Sequence, residues 1–346
     1  MKKTISFIVP SYNVEHCLET ALNSFLVEEI LENIEVIIVD DGSQDNTAEI
    51  AYQYALQYPE TFRVIRKENG GHGSAINCGV QIAVGKYIKV IDADDWIVTS
   101  NLKQWIAQLE ESNADVVLNP FHMINISTNK KESRHMYLEN YRRTYTLEEI
   151  ISNWKAFDRC ITFHGITYNR LFYTKYAHKL PEKIFYEDQE YASIPCCHAV
   201  SIQPMELFIY QYMVGSAEQS VALPNQLKRI EHIKQVALRM ISYSASCTGL
   251  TSCGRSFLEQ KAEGVVLSFY TIAATGNPNR AEGRQWCYQL NQEIKSTSPL
   301  FYKRIRKKFR MYQIFNYLKI NTEFYDKILH SKIYNALRNN HQREIK

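Results

Sequence analysis

Four short apolar runs in the first hundred residues are each followed by a polar or Gly-rich turn. The runs are Ile5–Val9, Val36–Val39, Phe62–Ile65 and Tyr87–Ile91, and apolar residues at helical spacing follow the first three turns. Strands that alternate with helices are typical of a parallel sheet with right-handed crossovers. Because the runs are almost continuously hydrophobic, both faces of the sheet should be covered. The sequence therefore predicts an α/β fold with a Rossmann-like, mostly parallel sheet flanked by helices.

The fourth run leads directly into three carboxylates, Asp92, Asp94 and Asp95. Parallel sheets bind ligands at the carboxyl ends of their strands. Carboxylates this close repel one another unless a cation lies among them, and Mg²⁺ or Mn²⁺ shared with substrate phosphates is the usual solution. We interpret the cluster as a metal-diphosphate site. The alternative is an acidic turn that caps the next helix, which is common for an isolated Asp-x-Asp.

The other predicted strands end in residues that suit a nucleotide. Tyr12 offers a ring that can stack on a base, and Asp41 offers a carboxylate that can accept from a base N–H. The Gly-rich stretch at 70–73 matches neither the dinucleotide fingerprint nor a P-loop. It is therefore either a flexible turn before a helix or a loop that contacts the donor.

Four motifs at these strand ends carry a resemblance to a known family: Val9-Pro10-Ser11-Tyr12-Asn13, Val39-Asp40-Asp41-Gly42-Ser43, Glu68-Asn69-Gly70-Gly71 and Asp92-Ala93-Asp94-Asp95-Trp96. In this order and spacing they resemble the family 2 glycosyltransferases of GT-A fold. The resemblance is strong over residues 4–115 and reaches residue 220 more loosely. It implies a nucleoside-diphosphate sugar donor (UDP by the habit of the family), a divalent Mn²⁺ or Mg²⁺, and transfer of a hexosyl or N-acetylhexosaminyl group with inversion.

The resemblance also implies roles for single residues. The nucleotide-sugar pocket would be lined by Pro10, Tyr12, Asn13, Asp41, Asn69, Asp92 and Ala93. Asp94, together with Asp92, would hold the metal between the two phosphates. Asp95 has an alternative role on this pattern: a neighbouring side chain points elsewhere and is suited to cap the helix that begins near Thr99.

An inverting displacement needs a base on the face opposite the leaving group, and a carboxylate does this best. The pair Glu187-Asp188 resembles the Glu-Asp motif of the family, which implies Asp188 as the general base and Glu187 as a ligand of the acceptor. The alternative is an acidic pair that favours a helix N-terminus. His164 and Trp96 are the other acceptor-side candidates, although a buried structural histidine is equally consistent with the sequence.

Two positions depart from the family pattern. Ile76 and Met213 stand where many relatives carry arginine, which removes two cations that could meet phosphate. Lys86, Lys89 or His72 are the candidates to compensate. Gln219 and Ser220 remain, in a loop that could close over the diphosphate. The polar stretch 120–146 shows no clean periodicity and is interpreted as an insertion or a mobile loop.

At 346 residues the chain exceeds what one core comfortably fills, so two parts are expected. We assign 1–220 to the glycosyltransferase domain, with a nucleotide-sugar half at about 1–118 and an acceptor half at about 119–220. The region 221–346 should be helical, with helices near 226–244, 256–273 and 280–294. The eight cysteines lack zinc spacing and are expected to be reduced. With no signal peptide and no transmembrane run apparent, we expect a cytoplasmic protein.

The tail 302–346 carries a net charge of +9, while the other 301 residues sum to −6. Basic and aromatic residues alternate in it, as in Tyr302–Arg310, and this composition suits an anionic membrane surface. A homodimer or partner surface is the second interpretation. Nucleic acid is not expected, because no nucleic-acid-binding signature accompanies the charge and the catalytic region is acidic.

These expectations combine into one hypothesis, an inverting glycosyltransferase that is peripherally associated with the inner face of the cell membrane. Its acceptor would be a saccharide or lipid-linked saccharide in surface glycan synthesis, an expectation that rests on family analogy. Two alternatives stay open. One is a donor-binding pseudoenzyme that scaffolds a partner. The other is a GT-A-like nucleotidyltransferase, against which the stretch Pro10–Asn13 argues because it lacks the expected Gly-rich basic loop.

Overall fold

The computed structural model describes residues 3–215 and 219–329, which form two compact units. The first unit holds the chain up to Gln219 and also Thr248–Leu258. The second holds Ser220–Cys247 and the described residues from Glu259 onward. The sequence predicts one division between 220 and 221, whereas Thr248–Leu258 lies with the first unit. There Gly254 packs so closely on the carbonyl oxygen of Cys197 that a Cβ would lie 2.2 Å from it.

The strands of the described chain all belong to the first unit. They are β1 (Ile5–Ser11), β2 (Ile34–Asp40), β3 (Phe62–Arg66), β4 (Tyr87–Val90), β5 (Trp96–Ile97), β6 (Val116–Leu118), β7 (Phe121–Asn125), β8 (Lys130–Arg134), β9 (Ile166–Asn169), β10 (Ile202–Pro204) and β11 (Tyr210–Val214). They build a seven-stranded sheet in the order β10-β6-β9-β4-β1-β2-β3 and a four-stranded sheet in the order β5-β11-β7-β8.

The helices of the described chain include one after each of β1, β2 and β3, as the spacing of apolar residues predicts. They are α1 (Leu18–Asn23), α2 (Thr47–Gln57), α3 (His72–Ile82), α4 (Thr99–Glu111), α5 (Leu147–Ser152), α6 (Trp154–Phe157), α7 (Arg170–Tyr176), α8 (Asp188–Tyr191), α9 (Leu223–Lys228), α10 (Ile230–Ser246), α11 (Ser252–Thr271), α12 (Arg280–Thr297), α13 (Pro299–Tyr317) and α14 (Thr322–Leu329). Short 3₁₀ turns lie at Glu28–Ile30 and Cys196–His198, and a π turn at Ile272–Gly276.

The large sheet is mostly parallel, as predicted. β1 pairs in parallel with β2 and β4, and β2 pairs in parallel with β3, whereas β9 runs antiparallel to both β4 and β6. Every residue of β1 and β2 is buried, because helices cover both faces of the sheet. Ser11 pairs with Asp40 at the ends of β1 and β2, so the turns that follow these strands leave the same edge.

The core of the first unit is aromatic on one face of this sheet. Phe7 of β1 lies 4.8 Å from Phe25 and 6.1 Å from Trp105 of α4, measured between ring centroids. On the other face, α3 approaches β1 so closely that a Cβ on Gly79 would lie 2.5 Å from Ile8. Ile76 of α3 is fully buried, which explains an apolar residue where many relatives carry arginine.

The interpretation of 120–146 as a mobile loop is wrong for its first half. β7 and β8 form an antiparallel hairpin, with Phe121 opposite Arg134, and β7 pairs in parallel with β11. The residues Lys130–Glu132 and Ser133 are exposed because β8 is the edge strand of the small sheet. A solvent-exposed edge strand can be polar along its whole length. The alternation of apolar and polar residues that predicts a strand is therefore missing from β8.

The second unit is helical, as predicted. In α13 the residues Phe301, Ile305 and Tyr312 are buried, and Tyr312 lies 5.7 Å from Tyr270 of α11. Arg304 binds Glu263 at 2.5 Å. Part of the tail therefore belongs to a helical core, while residues 330–346 lie outside the described residues.

The opposite side of α13 faces solvent. It exposes a row of residues at helical spacing: Lys303, Lys307, Arg310, Ile314 and Tyr317. The helix carries six basic residues and no acidic one. None of the helices in residues 3–215 and 219–329 combines the length and apolar character needed to cross a bilayer.

Candidate functional site

The three carboxylates in the turn after β4 differ in how far they are buried. Asp92 is half-buried, Asp94 reaches solvent, and Asp95 is buried, while the Asp95 N–H donates to the Asp92 carbonyl oxygen and fixes the turn. Ala93 between them is buried. Partial desolvation and the charge of Asp92 raise the pKa of Asp94 to about 6. Partial burial of the carboxylate and its closeness to Asp92 both disfavour the ionised form of Asp94.

Asp95 connects this turn to β11 and does not cap a helix. Its Oδ2 accepts from the Tyr210 hydroxyl at 2.6 Å, and its Oδ1 accepts from the Met213 N–H at 2.7 Å. α4 begins at Thr99, as expected, but the residue before it is Val98 and no side chain caps the helix. Burial, then Asp94 and Asp92, raise the pKa of Asp95 well above its usual range. Met213 thus contributes a backbone donor where many relatives carry an arginine side chain.

The Gly-rich loop is held in place by Asp41. Asp41 Oδ1 accepts from Lys67 Nζ at 2.7 Å and from Gly70 N at 3.0 Å, and its Oδ2 accepts from Gly71 N at 2.7 Å. The Gly70 carbonyl accepts from the Lys183 N–H at 2.7 Å. Bonds from two sides make this an ordered loop rather than a flexible turn. A carboxylate has about four acceptor positions. Asp41 uses three of them here, which leaves one for a base N–H.

The turn after β1 presents Tyr12 to solvent beside this loop. Pro10 is buried in β1, whereas Tyr12 is 47% exposed. Asn13 has a φ of 54°, its N–H donates to Ser43 Oγ at 3.0 Å, and its Oδ1 accepts from Gln44 N at 2.8 Å. These bonds join the turns after β1 and β2. The ring of Tyr12 is available for stacking because it is exposed. Asn69, in the next loop along the chain, is exposed.

His72 joins two carboxylates that are 95 positions apart in the sequence. Its Nε2 lies 2.9 Å from Asp92 Oδ1, and its Nδ1 lies 2.6 Å from Glu187 Oε1. Burial alone would lower the pKa of His72, but the two carboxylates outweigh it and hold the pKa well above its usual value. Of the three cations expected to replace the missing arginines, His72 is the one that contacts the carboxylates.

The two lysines are used elsewhere. Lys89 is fully buried and donates to the carbonyl oxygens of His164 at 2.8 Å and Ile166 at 3.0 Å. Lys86 Nζ donates to the carbonyl oxygen of Glu110 at 2.9 Å. Sequence spacing could not distinguish the three candidates, because the bond between His72 and Glu187 depends on the tertiary fold.

Glu187 and Asp188 stand at the start of α8. Glu187 is almost fully buried and its side chain makes no capping bond, because its carboxylate binds His72 instead. This observation argues against the interpretation of the pair as a simple helix-dipole feature. Asp188 accepts from Gln189 Nε2 at 2.9 Å, and burial followed by the charge of Glu187 raises its pKa to about 6. A carboxylate with this pKa ionises just below neutrality.

His164 lies at the far side of the acidic turn. Its ring stacks on Tyr212 with centroids 4.0 Å apart, and burial lowers its pKa to about 4, so the imidazole is neutral near pH 7. Ligand atoms of Asp92, Asp95 and His164 lie within 4.8 Å of one another. The tightest potential metal set among the described residues thus differs from the predicted pair Asp92 and Asp94.

The donor atoms of this turn fit a divalent cation. The carboxylates of Asp92 and Asp94 are oxygen ligands of the kind that Mg²⁺ and Mn²⁺ prefer, and Asp94 reaches solvent, where a cation can enter. Both oxygens of Asp95 are already engaged by Tyr210 and Met213. Asp92 and Asp94 therefore remain the predicted ligands, with His164 as a third candidate.

The remaining predicted residues flank β11. Gln219 closes the end of that strand, since its Nε2 donates to the Met213 carbonyl at 2.6 Å and its Oε1 accepts from Gly215 N at 3.0 Å. Ser216–Glu218, which precede the predicted lid residues Gln219 and Ser220, lie outside the described residues, and Ser220 begins the second unit. Trp96 of β5 is half-buried and pairs with Gln211 of β11.

Comparisons with known proteins find relatives of the first half of this chain. Residues 6–171 match the model of glycosyl transferase family 2. This part of the chain is a family 2 glycosyltransferase domain. The chain is 39% identical over 113 residues to the uncharacterized glycosyltransferase EpsJ of Bacillus subtilis, which covers 33% of this chain and 32% of EpsJ. It is 36% identical over 112 residues, 32% of this chain, to the minor teichoic acid biosynthesis protein GgaB of the same organism, and spans 12% of that protein.

The solved structures extend the likeness of the family 2 domain to the whole fold. The crystal structure of residues 1–349 of TarS from S. aureus, in complex with UDP-GlcNAc, matches with a TM-score of 0.62 and 20% identity. The match covers 94% of this chain and 92% of that one. It confirms the predicted α/β fold of GT-A type with a helical C-terminal region.

Proposed function

We propose that this protein transfers a sugar, with inversion, from a nucleoside-diphosphate sugar to a saccharide or lipid-linked saccharide. The observation that carries the proposal is the convergence of two acidic pairs on one sheet edge. Asp92 and Asp94 follow β4, Glu187 and Asp188 open α8, and His72 contacts a member of each pair. A donor site and a candidate base are thus built side by side.

The donor side uses three features. The exposed ring of Tyr12 stacks on the base, and Asp41, fixed by the Gly-rich loop, accepts from the base N–H. Asp92 and Asp94 would hold a Mn²⁺ or Mg²⁺ ion. When bound, such a cation neutralises the charge that grows on the leaving diphosphate.

The acceptor side uses Asp188. Inversion requires that the acceptor hydroxyl attack from the face opposite the leaving group while it loses its proton to a base. Burial keeps Asp188 at a pKa of about 6, so it is ionised at neutral pH yet basic enough to accept a proton. Glu187 is held by His72 through Oε1, which leaves its second carboxylate oxygen able to accept a hydrogen bond.

We further propose a UDP-sugar donor with a hexosyl or N-acetylhexosaminyl group and a role in cell-surface polysaccharide synthesis. The UDP-GlcNAc complex of the similar TarS structure supports the choice of donor, and the teichoic acid biosynthesis protein GgaB supports the process. The solvent face of α13, with Lys303, Lys307 and Arg310, supports peripheral docking on the anionic inner face of the cell membrane.

The test is a donor-hydrolysis screen. Purified protein is incubated with UDP-, GDP- or TDP-sugars and with Mn²⁺, Mg²⁺ or EDTA, and released nucleotide is measured. We expect metal-dependent release from one donor, abolished in Asp94→Ala. Glu182→Gln is the matched control, because Glu182 is an exposed carboxylate that pairs with Lys179.

The same screen separates the alternatives. Metal-dependent binding of a donor without release, with or without acceptors, would indicate a donor-binding scaffold. Absence of metal-dependent nucleotide binding would overturn the proposal altogether. Transfer to a defined acceptor, followed by NMR of the product anomeric carbon, checks inversion.

A further inference from the structure

One stretch of the chain, residues 180–187, joins the donor side of the site to its candidate base. It ends directly before Asp188, where α8 begins. We call it the connecting segment. It lies against the first turn of α3, where a Cβ on Gly73 would lie 2.6 Å from the carbonyl oxygen of Pro181 and 3.0 Å from Cγ of Glu187. This contact leaves no room for a side chain, so the connecting segment and α3 fit each other closely.

Asn77 of α3 binds the start of the connecting segment through both of its polar groups. Its Nδ2 donates to the carbonyl oxygen of Leu180 at 3.0 Å, and its Oδ1 accepts from the N–H of the same residue at 3.1 Å. An amide side chain offers a donor and an acceptor together, so it can satisfy one backbone residue as a neighbouring strand would. Leu180 is buried, and the two bonds therefore fix a point of the chain that is also packed.

The middle of the connecting segment is strained. Lys183 has a φ of 56° and Tyr186 has a φ of 70°, and both residues carry large side chains. A positive φ brings the Cβ of an L residue close to the backbone and costs free energy. Strained backbone of this kind persists where the surrounding contacts hold it. The bonds on either side of Lys183 and Tyr186 therefore decide whether the connecting segment keeps its place.

Two further contacts hold the connecting segment. The Lys183 N–H donates to the carbonyl oxygen of Gly70 at 2.7 Å, and Glu187 Oε1 lies 2.6 Å from His72 Nδ1. Gly70 lies in the Gly-rich loop and His72 contacts the acidic turn, whereas Asn77 lies more than one helical turn further along α3. Asn77 can thus be replaced while the groups that face the donor stay in place.

We propose that Asn77 is a positioning residue for Asp188. Its two bonds to Leu180 hold the strained connecting segment on α3 and so keep Asp188 beside the donor site. The inference rests on the proposed function and adds to it a residue that lies outside the acidic turn. The strain makes this anchor matter, because a strained segment shifts toward unstrained conformations when a bond that holds it is removed.

The first test replaces Asn77 with alanine and measures steady-state kinetics, UDP binding and amide hydrogen exchange. We expect kcat to fall about tenfold, because a small misplacement of a base slows the reaction, while the KM for the donor and the affinity for UDP stay unchanged. The amides of residues 180–187 should exchange about tenfold faster as the segment opens. Asn77→Asp keeps the acceptor for the Leu180 N–H but loses the donor, so its kcat should lie between those of the wild type and of Asn77→Ala.

A second substitution separates positioning from stability. Glycine adopts a positive φ without strain, so Lys183→Gly, added to Asn77→Ala, should favour the native conformation of the segment and recover kcat by about threefold or more. Lys319→Gly is the matched control, because Lys319 is also an exposed lysine and has a φ of 55°, but lies in the second unit. It relieves the same strain and should stabilise the protein equally against urea, but it should leave the kcat of Asn77→Ala low.

An Asn77→Ala variant with the kcat and the hydrogen exchange of the wild type would overturn the inference. Failure of Lys183→Gly to recover kcat, or equal recovery by Lys319→Gly, would overturn it too, since Asn77 would then act on stability alone. The wild-type protein is assayed beside the variants. Absence of turnover in the wild type overturns the proposed function and, with it, the role of Asn77 toward Asp188, whereas turnover that Asn77→Ala leaves unchanged overturns this inference alone.

Discussion

At the scale of single residues, His72 does most to assemble the candidate site. It contacts Asp92 after β4 and Glu187 at the start of α8, two carboxylates that no local sequence feature connects. A second histidine makes a similar contact elsewhere, because His178 Nε2 lies 2.5 Å from the fully buried Glu190. Replacing each histidine in turn therefore separates the effect of a lost contact on stability from its effect on activity.

We expect His72→Ala and His178→Ala to lower the free energy of unfolding by about 1–3 kcal/mol each, since each removes one hydrogen-bond partner of a buried glutamate. Only His72→Ala should also lower kcat by more than tenfold, because only it releases Glu187 beside the base. Urea unfolding and steady-state kinetics measure the two effects. Equal kcat values in the two variants would show that His72 is merely structural.

The raised pKa of Asp188 predicts how the activity depends on pH. Burial favours its neutral acid and raises its pKa to about 6, so the basic carboxylate is lost as the pH falls through 6. Activity should therefore rise between pH 5 and pH 7. The measurement needs saturating Mn²⁺, since a bound cation lowers the pKa of Asp94, which also lies at about 6 in the free protein.

In Asp188→Asn we expect kcat to fall by about 10²–10⁴-fold, the usual contribution of a general base, with donor affinity kept. The rise in activity near pH 6 should be absent from this variant. Glu182→Gln serves again as the control of matched charge. A variant that keeps the wild-type pH profile would exclude Asp188 as the base.

At the scale of elements, the loop between β3 and α3 decides the shape of the donor side. Gly71 has a φ of 85°, its N–H donates to Asp41, and a Cβ there would lie 2.9 Å from Lys183 N. Glycine is required on both counts, because an L side chain rarely adopts this φ and the contact is with backbone. Gly264, in α11, has no atom within 4 Å of an added Cβ.

Gly71→Ala should lower the free energy of unfolding by about 1–3 kcal/mol and weaken nucleotide binding through Asp41. Gly264→Ala should raise the free energy of unfolding by about 0.5–1 kcal/mol, because alanine favours a helix. Chemical denaturation and UDP titration measure both. An unaltered UDP affinity in Gly71→Ala would mean that the loop does not position Asp41 for the donor.

At the scale of the whole molecule, charge is divided along the chain. The tail from 302 carries +9 and the rest −6, and the solvent face of α13 displays Lys303, Lys307 and Arg310. Ile305 and Tyr312 are buried, whereas Ile314 and Tyr317 lie on the solvent face with the basic residues. We expect the six basic residues of α13 to make docking sensitive to salt, with the two exposed apolar side chains against the lipid surface.

We expect the full-length protein to bind vesicles of phosphatidylglycerol and phosphatidylcholine at low salt and to be released at about 0.5 M salt, where screening is strong. Lys307→Glu/Arg310→Glu should abolish binding. Lys130→Glu/Lys131→Glu, with the same charge change on β8, should keep it. Sedimentation with vesicles measures all three. Equal loss in both variants would indicate a general charge effect rather than a docking face.

The sequence by itself determined the α/β class, the parallel strands β1–β4 and the acidic turn after β4, because apolar runs and polar strand ends are local patterns. It also indicated the helical region after 221, and the resemblance of four motifs gave the family. Only the tertiary structure decided that His72 rather than Lys86 or Lys89 contacts the carboxylates, that Asp95 binds β11, and that 121–134 is a hairpin. The physical reason is that these contacts join residues far apart in the chain, and a pattern along one segment carries no information about a partner that folding alone brings near.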